Sequence, residues 1–152
     1  MSNEQTRDIL EHAQHFHRQV SQYYDELSAH TDKERIKMLL DYMSRHERNM
    51  ARGLAEFEHS APRDVMNACF KVGHVIKPCC EVVQDLKITP DMSVDDVIEM
   101  GMQFGDCLIS VYKDLSETAA DERVRSVFQD LLTLEQKEKR QLVRNAQRVL
   151  DF

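Results

Sequence analysis

The sequence predicts an all-α fold, a four-helix bundle built from two related helical hairpins with a long crossover between them. Three observations carry this expectation. The 152 residues include only four glycines and three prolines, well below the roughly 12% of an average protein, and a β-rich chain would need them for its turns. All three prolines (Pro62, Pro78, Pro90) lie between residues 60 and 90, and the sequence on either side has helical period. Finally, residues 8–57 lie over 96–145 without a gap. Asp8 and Glu11 meet Asp96 and Glu99, Phe16 meets Phe104, and Tyr24 meets Tyr112. Further along, Glu34-Arg35 meets Glu122-Arg123, Glu47 meets Glu135, and Leu54 meets Leu142. A register that runs unbroken through two helices and their turn points to a duplicated hairpin.

The chain is read as one bundle domain over 1–152, and its elements follow in order. The first helix is expected at about 8–29, where Leu10, Ala13, His17, Val20, Tyr24 and Leu27 share a stripe. The second runs over about 33–58, with Ile36, Leu40, Met43, Glu47, Met50, Leu54 and Phe57 on one face. A crossover of about 59–92 follows, too long for a simple up-down turn. The third helix spans about 93–118. Ser93 is its N-cap candidate and Asp96 supports the first turn. Its stripe is Ile98, Gly101, Gly105, Leu108, Tyr112 and Leu115. The fourth covers about 121–150, with Val124, Phe128, Leu131, Glu135, Glu138, Leu142 and Val149. These spacings are those of bundle cores.

Charge and hydropathy narrow the function classes. The formal net charge is −7, which argues against tracking a phosphate backbone, because counterion release needs a basic face. No run approaches the apolar length of a membrane span, and no stretch is basic enough for a membrane-surface helix. Met1-Ser2-Asn3-Glu4 lacks the basic and apolar regions of a secretion signal, so the expected compartment is the cytoplasm. The four cysteines (Cys69, Cys79, Cys80, Cys107) are then expected as reduced thiols. Nucleophile dyads and nucleotide-binding loops are absent.

The periodicity places His17, Glu47, Glu135 and Glu138 on core-facing stripes. Buried carboxylates are costly unless paired, protonated or metal-bound. Three carboxylates and an imidazole meeting mid-bundle suit Fe(II), Mn(II) or Zn(II), and the i, i+3 spacing lets Glu135 and Glu138 reach one ion. The alternative is a drifted core stripe, with Glu138 reaching solvent and Glu47 paired with His17 or Arg48. Gly101 and Gly105 allow either close helix approach or a small void. His12-x-x-His15 has chelating spacing but also fits a solvated face. His46 is placed at a boundary between core and rim. The run Cys69-x4-His74-x4-Cys79-Cys80 offers soft ligands or, alternatively, small hydrophobes packing the crossover. Cys107 and the methionines Met38, Met43, Met50 and Met100 read as packing.

A duplicated hairpin with a long central crossover resembles the ferritin-like superfamily, and within it the rubrerythrin-like branch. Tyr23-Tyr24-Asp25-Glu26-Leu27 and Val111-Tyr112-Lys113-Asp114-Leu115 look like the ends of that branch's first and third helix motifs. Glu47-Arg48-Asn49-Met50 and Glu135-Gln136-Lys137-Glu138 have the spacing of its Glu-x-x-His motifs. The resemblance implies a di-iron site that oxidises Fe(II) with oxygen or peroxide, and a homo-oligomer, often a dimer. Most ligand positions are substituted: His17 and Gly105 stand for glutamates, and Met50 and Glu138 for histidines. The expectation is therefore an altered site of Glu47, Glu135, Glu138 and His17, lined by Tyr24 and Tyr112. It would hold iron or another divalent metal, without complete di-iron oxidase activity. Two other readings stay open: a metal-free interaction or oligomerisation module, and a thiol or soft-metal sensor built on the crossover cysteines.

Overall fold

Cap chemistry and apolar spacing set four long helices. The computed structural model describes residues 4–70, 77–87, 89 and 91–151. His74 and Pro90, which the sequence reading singled out, lie outside them, as does the side chain of Val149. In chain order the elements are β1 (Glu4–Gln5), α1 (Thr6–His30), α2 (Glu34–Ser60), α3 (Arg63–Met66), β2 (Cys69–Phe70), α4 (Lys77–Gln84), α5 (Val94–Thr118) and α6 (Glu122–Leu150). At the head of α5, Ser93 Oγ accepts from the Asp96 N–H at 3.1 Å and the Ser93 N–H donates to Asp96 at 3.0 Å. This reciprocal box satisfies two backbone donors that a helix start otherwise leaves open. Asp121 does part of the same work for α6, accepting from the Arg123 N–H at 2.8 Å.

Short turns join α1 to α2 and α5 to α6, giving two helical hairpins. A seam of small polar groups holds α1 against α2: Ser21 and Ser44 hydroxyls meet at 2.8 Å, and Ser28 donates to Asp41 at 2.7 Å. Aromatic contacts join the hairpins. Phe104 of α5 meets Phe16, Tyr23 and Tyr24 of α1 edge-on, the arrangement that ring quadrupoles favour. A second cluster joins Tyr112, Phe128 and Phe70. Met38 departs from the expected core filling and is 51% exposed. At 100° per residue it lies opposite Ile36, Leu40 and Met43 on α2.

The crossover holds more structure than the sequence reading assigned to it. It contains α3, β2 and α4, and β2 pairs antiparallel with β1, Glu4 against Phe70 and Gln5 against Cys69. The Thr6 N–H extends the pairing to the Ala68 carbonyl at 2.9 Å. The start of the described chain is thereby stapled to the middle of the crossover. Among the described residues, no helix is long and apolar enough to cross a membrane.

Candidate functional site

The helical stripes converge on a charged centre. His17 on α1 is 3% exposed, and Glu135 on α6 is 6% exposed. His17 Nδ1 bonds Glu47 of α2, and its Nε2 lies 3.1 Å from Glu135 Oε1. The imidazole is thus the middle member of a Glu47–His17–Glu135 bridge across three helices. Burial disfavours its charge, but the attraction and hydrogen bonds of the two carboxylates outweigh this and push the pKa from 6.5 up to about 10. His17 is an imidazolium at neutral pH, donating from both ring nitrogens.

Glu138 does not join this bridge. It pairs with His46 Nε2 at 2.9 Å. Their hydrogen bond raises the His46 pKa and lowers that of Glu138. His46 stacks on Tyr42, whose hydroxyl accepts from the Asn145 amide at 2.7 Å. His46, expected at a boundary between core and rim, is half-buried there in the middle of α2; what the sequence does not show is that it lines the central cavity. The missed signal is the i, i+4 row Tyr42, His46 and Met50, which places all three on one face.

Both charge clusters face one cavity of about 40 Å³, room for roughly two or three water-sized groups. Its remaining walls are mainly apolar, with Phe16, Met43, Phe104 and Leu108 among them. Tyr24 also lines it. Burial, reinforced by Glu47, holds the Tyr24 phenol well above its ordinary pKa. Tyr112 is fully buried, its pKa is raised by burial and by Glu135, and its hydroxyl has no hydrogen-bond partner.

The two helix glycines have different reasons. A Cβ on Gly101 would meet Leu142 and Met43 at 2.8 Å and the Tyr24 hydroxyl at 3.2 Å, so this glycine allows close packing. A Cβ on Gly105 would meet only Lys139 Cβ, at 3.9 Å. Gly105 borders the cavity and leaves space. Beside it, Lys139 and Asp106 form an ion pair between α6 and α5.

Other candidates separate. His12 and His15 are exposed, and His12 faces Glu4 at 3.8 Å. The cysteines require a correction. Cys79 and Cys107, expected as a reduced thiol and a partnerless packing residue, form a disulfide with Cα atoms 5.8 Å apart. The fold brings α4 onto α5, a proximity that a separation of 28 residues does not disclose. Cys69 and Cys80 are free thiols. Burial, with Glu81 nearby, raises the pKa of Cys80. Among the described residues, no group of three or more His, Cys, Asp or Glu side chains is arranged to hold a metal ion.

No family model matches the chain, and no curated protein is similar to it in sequence. Its structure is similar to the crystal structure of a protein from Thermotoga maritima described as a ferritin-like diiron-carboxylate protein. The two share 17% identity and a TM-score of 0.60, over 97% of each chain. This likeness shows a ferritin-like all-α fold.

Proposed function

We propose that this chain is a ferritin-like bundle whose central carboxylates are compensated by an imidazolium instead of by iron, and that it acts as a non-enzymatic interaction module. One observation carries the reading: His17 spans Glu47 and Glu135, using one ring nitrogen for each. The donor set does not fit a di-iron centre. Two Fe(II) ions bring four positive charges against three carboxylates, and the space beside Gly105 offers no ligand. The His17 nitrogens also point in opposite directions, so one ion can take only one of them while Glu47 and Glu135 stay divided between the two. The reading treats α1–α2 and α5–α6 as copies of one hairpin. His17 is then the member without a counterpart, since Gly105 stands at the equivalent position.

The first test is elemental analysis of untagged protein after iron and manganese loading. The expected result is far less than one ion per chain in a fully folded protein. Sedimentation tests the module: concentration-dependent self-association is expected, and a concentration-independent monomer that captures no partner counts against it.

A second reading, a single divalent ion, is favoured by a different observation. Three carboxylates and two imidazoles line one cavity. A divalent cation bound at these imidazoles would displace their protons, and metal binding at imidazole releases protons in this way. One ion per chain, lost in a Glu47→Ala, Glu135→Ala double variant, would establish this reading and overturn the first.

A further inference from the structure

We propose that the Cys79–Cys107 disulfide is a redox site, opened by dithiols, that clamps the crossover helix α4 over one wall of the central cavity. The inference rests on the placement of α4 and is independent of how the central charges are compensated.

The disulfide ties α4 to α5. Just beyond the other end of α4, the Lys87 carbonyl accepts from the Tyr23 hydroxyl of α1 at 2.8 Å. The segment is thus pinned to both helices, with Val83 buried between the two attachments. Tyr23 meets Phe104 edge-on at a centroid distance of 6.4 Å, and Phe104 is a wall of the cavity. Cys107 follows Phe104 by one helical turn. A covalent bond at Cys107 therefore acts on the side of α5 that backs the cavity.

The two sulfurs differ in access. Cys79 is 1% exposed, whereas Cys107 is half-buried. An incoming thiolate is therefore expected at Cys107 Sγ, the sulfur of the less buried residue, since exchange rates depend on access. Attack forms a bond from the reductant's sulfur to Cys107 Sγ and breaks the Cys79–Cys107 bond. The electron pair goes to Cys79 Sγ, which takes up a proton. The second thiol of the dithiol then attacks its own partner sulfur in the mixed disulfide. That step releases Cys107 thiolate, which is protonated in turn. Two electrons and two protons pass from the dithiol to the protein, and the reductant leaves as its cyclic disulfide. The neighbouring Cys80 competes poorly, because its burial keeps it as the thiol and only the thiolate attacks. Reduction leaves α4 held by its apolar contacts and the Tyr23 bond.

The test uses a full-length Cys69→Ala, Cys80→Ala variant, so that no other thiol can exchange. Native protein is compared before and after treatment with dithiothreitol. Thiol titration and intact mass count the cysteines, and hydrogen exchange by mass spectrometry reads each helix. Titration should rise from no thiols to two. Amides of residues 79–87 should then lose about tenfold more protection than those of α2 and α6. Cys107→Ser, in which the clamp cannot form, should show fast α4 exchange without reductant. Three results would overturn the proposal: a disulfide that resists dithiothreitol in the folded protein, unchanged α4 exchange after reduction, or equal loss of protection in all helices.

Discussion

His17 is charged because its two ring nitrogens face two carboxylates, whose attraction outweighs the cost of burial. Removing it leaves the buried Glu135 and the half-buried Glu47 without a counter-charge, and breaking a buried pair costs about 3–5 kcal/mol. His17→Gln should therefore lower the urea midpoint markedly at pH 7. The pH dependence has a definite sign. The imidazole titrates at 6.5 as a free group and at about 10 in the folded protein. Its contribution to stability is complete below about pH 6.5 and is lost as the pH rises through about 10. Urea titrations between pH 6 and 10 should show the difference between parent and His17→Gln shrinking as the pH rises. A constant difference would mean that His17 holds no extra proton. The stripe pattern made His17, Glu47, Glu135 and Glu138 visible as core-facing residues. It did not reveal their partners, because periodicity orients a residue on its own helix and leaves the facing helix undefined.

At the scale of the element, α5 makes the clearest prediction. Glycine in a helix interior costs about 1 kcal/mol relative to alanine. Gly105 faces open space, so Gly105→Ala should recover up to about 1 kcal/mol and raise the melting temperature. Gly101→Ala gains the same propensity but brings a methyl to 2.8 Å from the ends of the Leu142 and Met43 side chains, which must turn aside to admit it. That repacking offsets part of the gain, so its melting temperature should lie below that of Gly105→Ala. Thermal melts check the pair, and equal melting temperatures would contradict the packing. The start of α5 is legible from Ser93 and Asp96, since a capping box is a local feature. The β1–β2 pair was not. Two residues per strand are too few to show alternation, and the partners are more than sixty positions apart.

Across the whole molecule, the disulfide also constrains the unfolded chain. Closing a loop across a separation of 28 residues removes unfolded-state entropy worth about 3.6 kcal/mol in the chain-entropy model. Denaturant unfolding of oxidised protein should therefore have a higher midpoint than that of reduced protein or of Cys107→Ser, which should agree with each other. Coincident curves for oxidised and reduced protein would show that the cross-link constrains nothing. The same reach across the chain applies at the centre, where α1, α2 and α6 share one imidazole bridge and the two hairpins meet.

The sequence alone carries the helical class, the placement of the long helices around a proline-bearing crossover, and most of the residues that turn inward, Met38 and Phe57 being exposed instead. Each follows from local period, caps and composition, which act within a few turns of chain. Only the tertiary structure decided which inward charges meet. It paired Glu138 with His46, made His17 the cation between Glu47 and Glu135, and joined Cys79 to Cys107. These outcomes depend on distances between helices far apart in the chain, and burial then sets the charge each group carries.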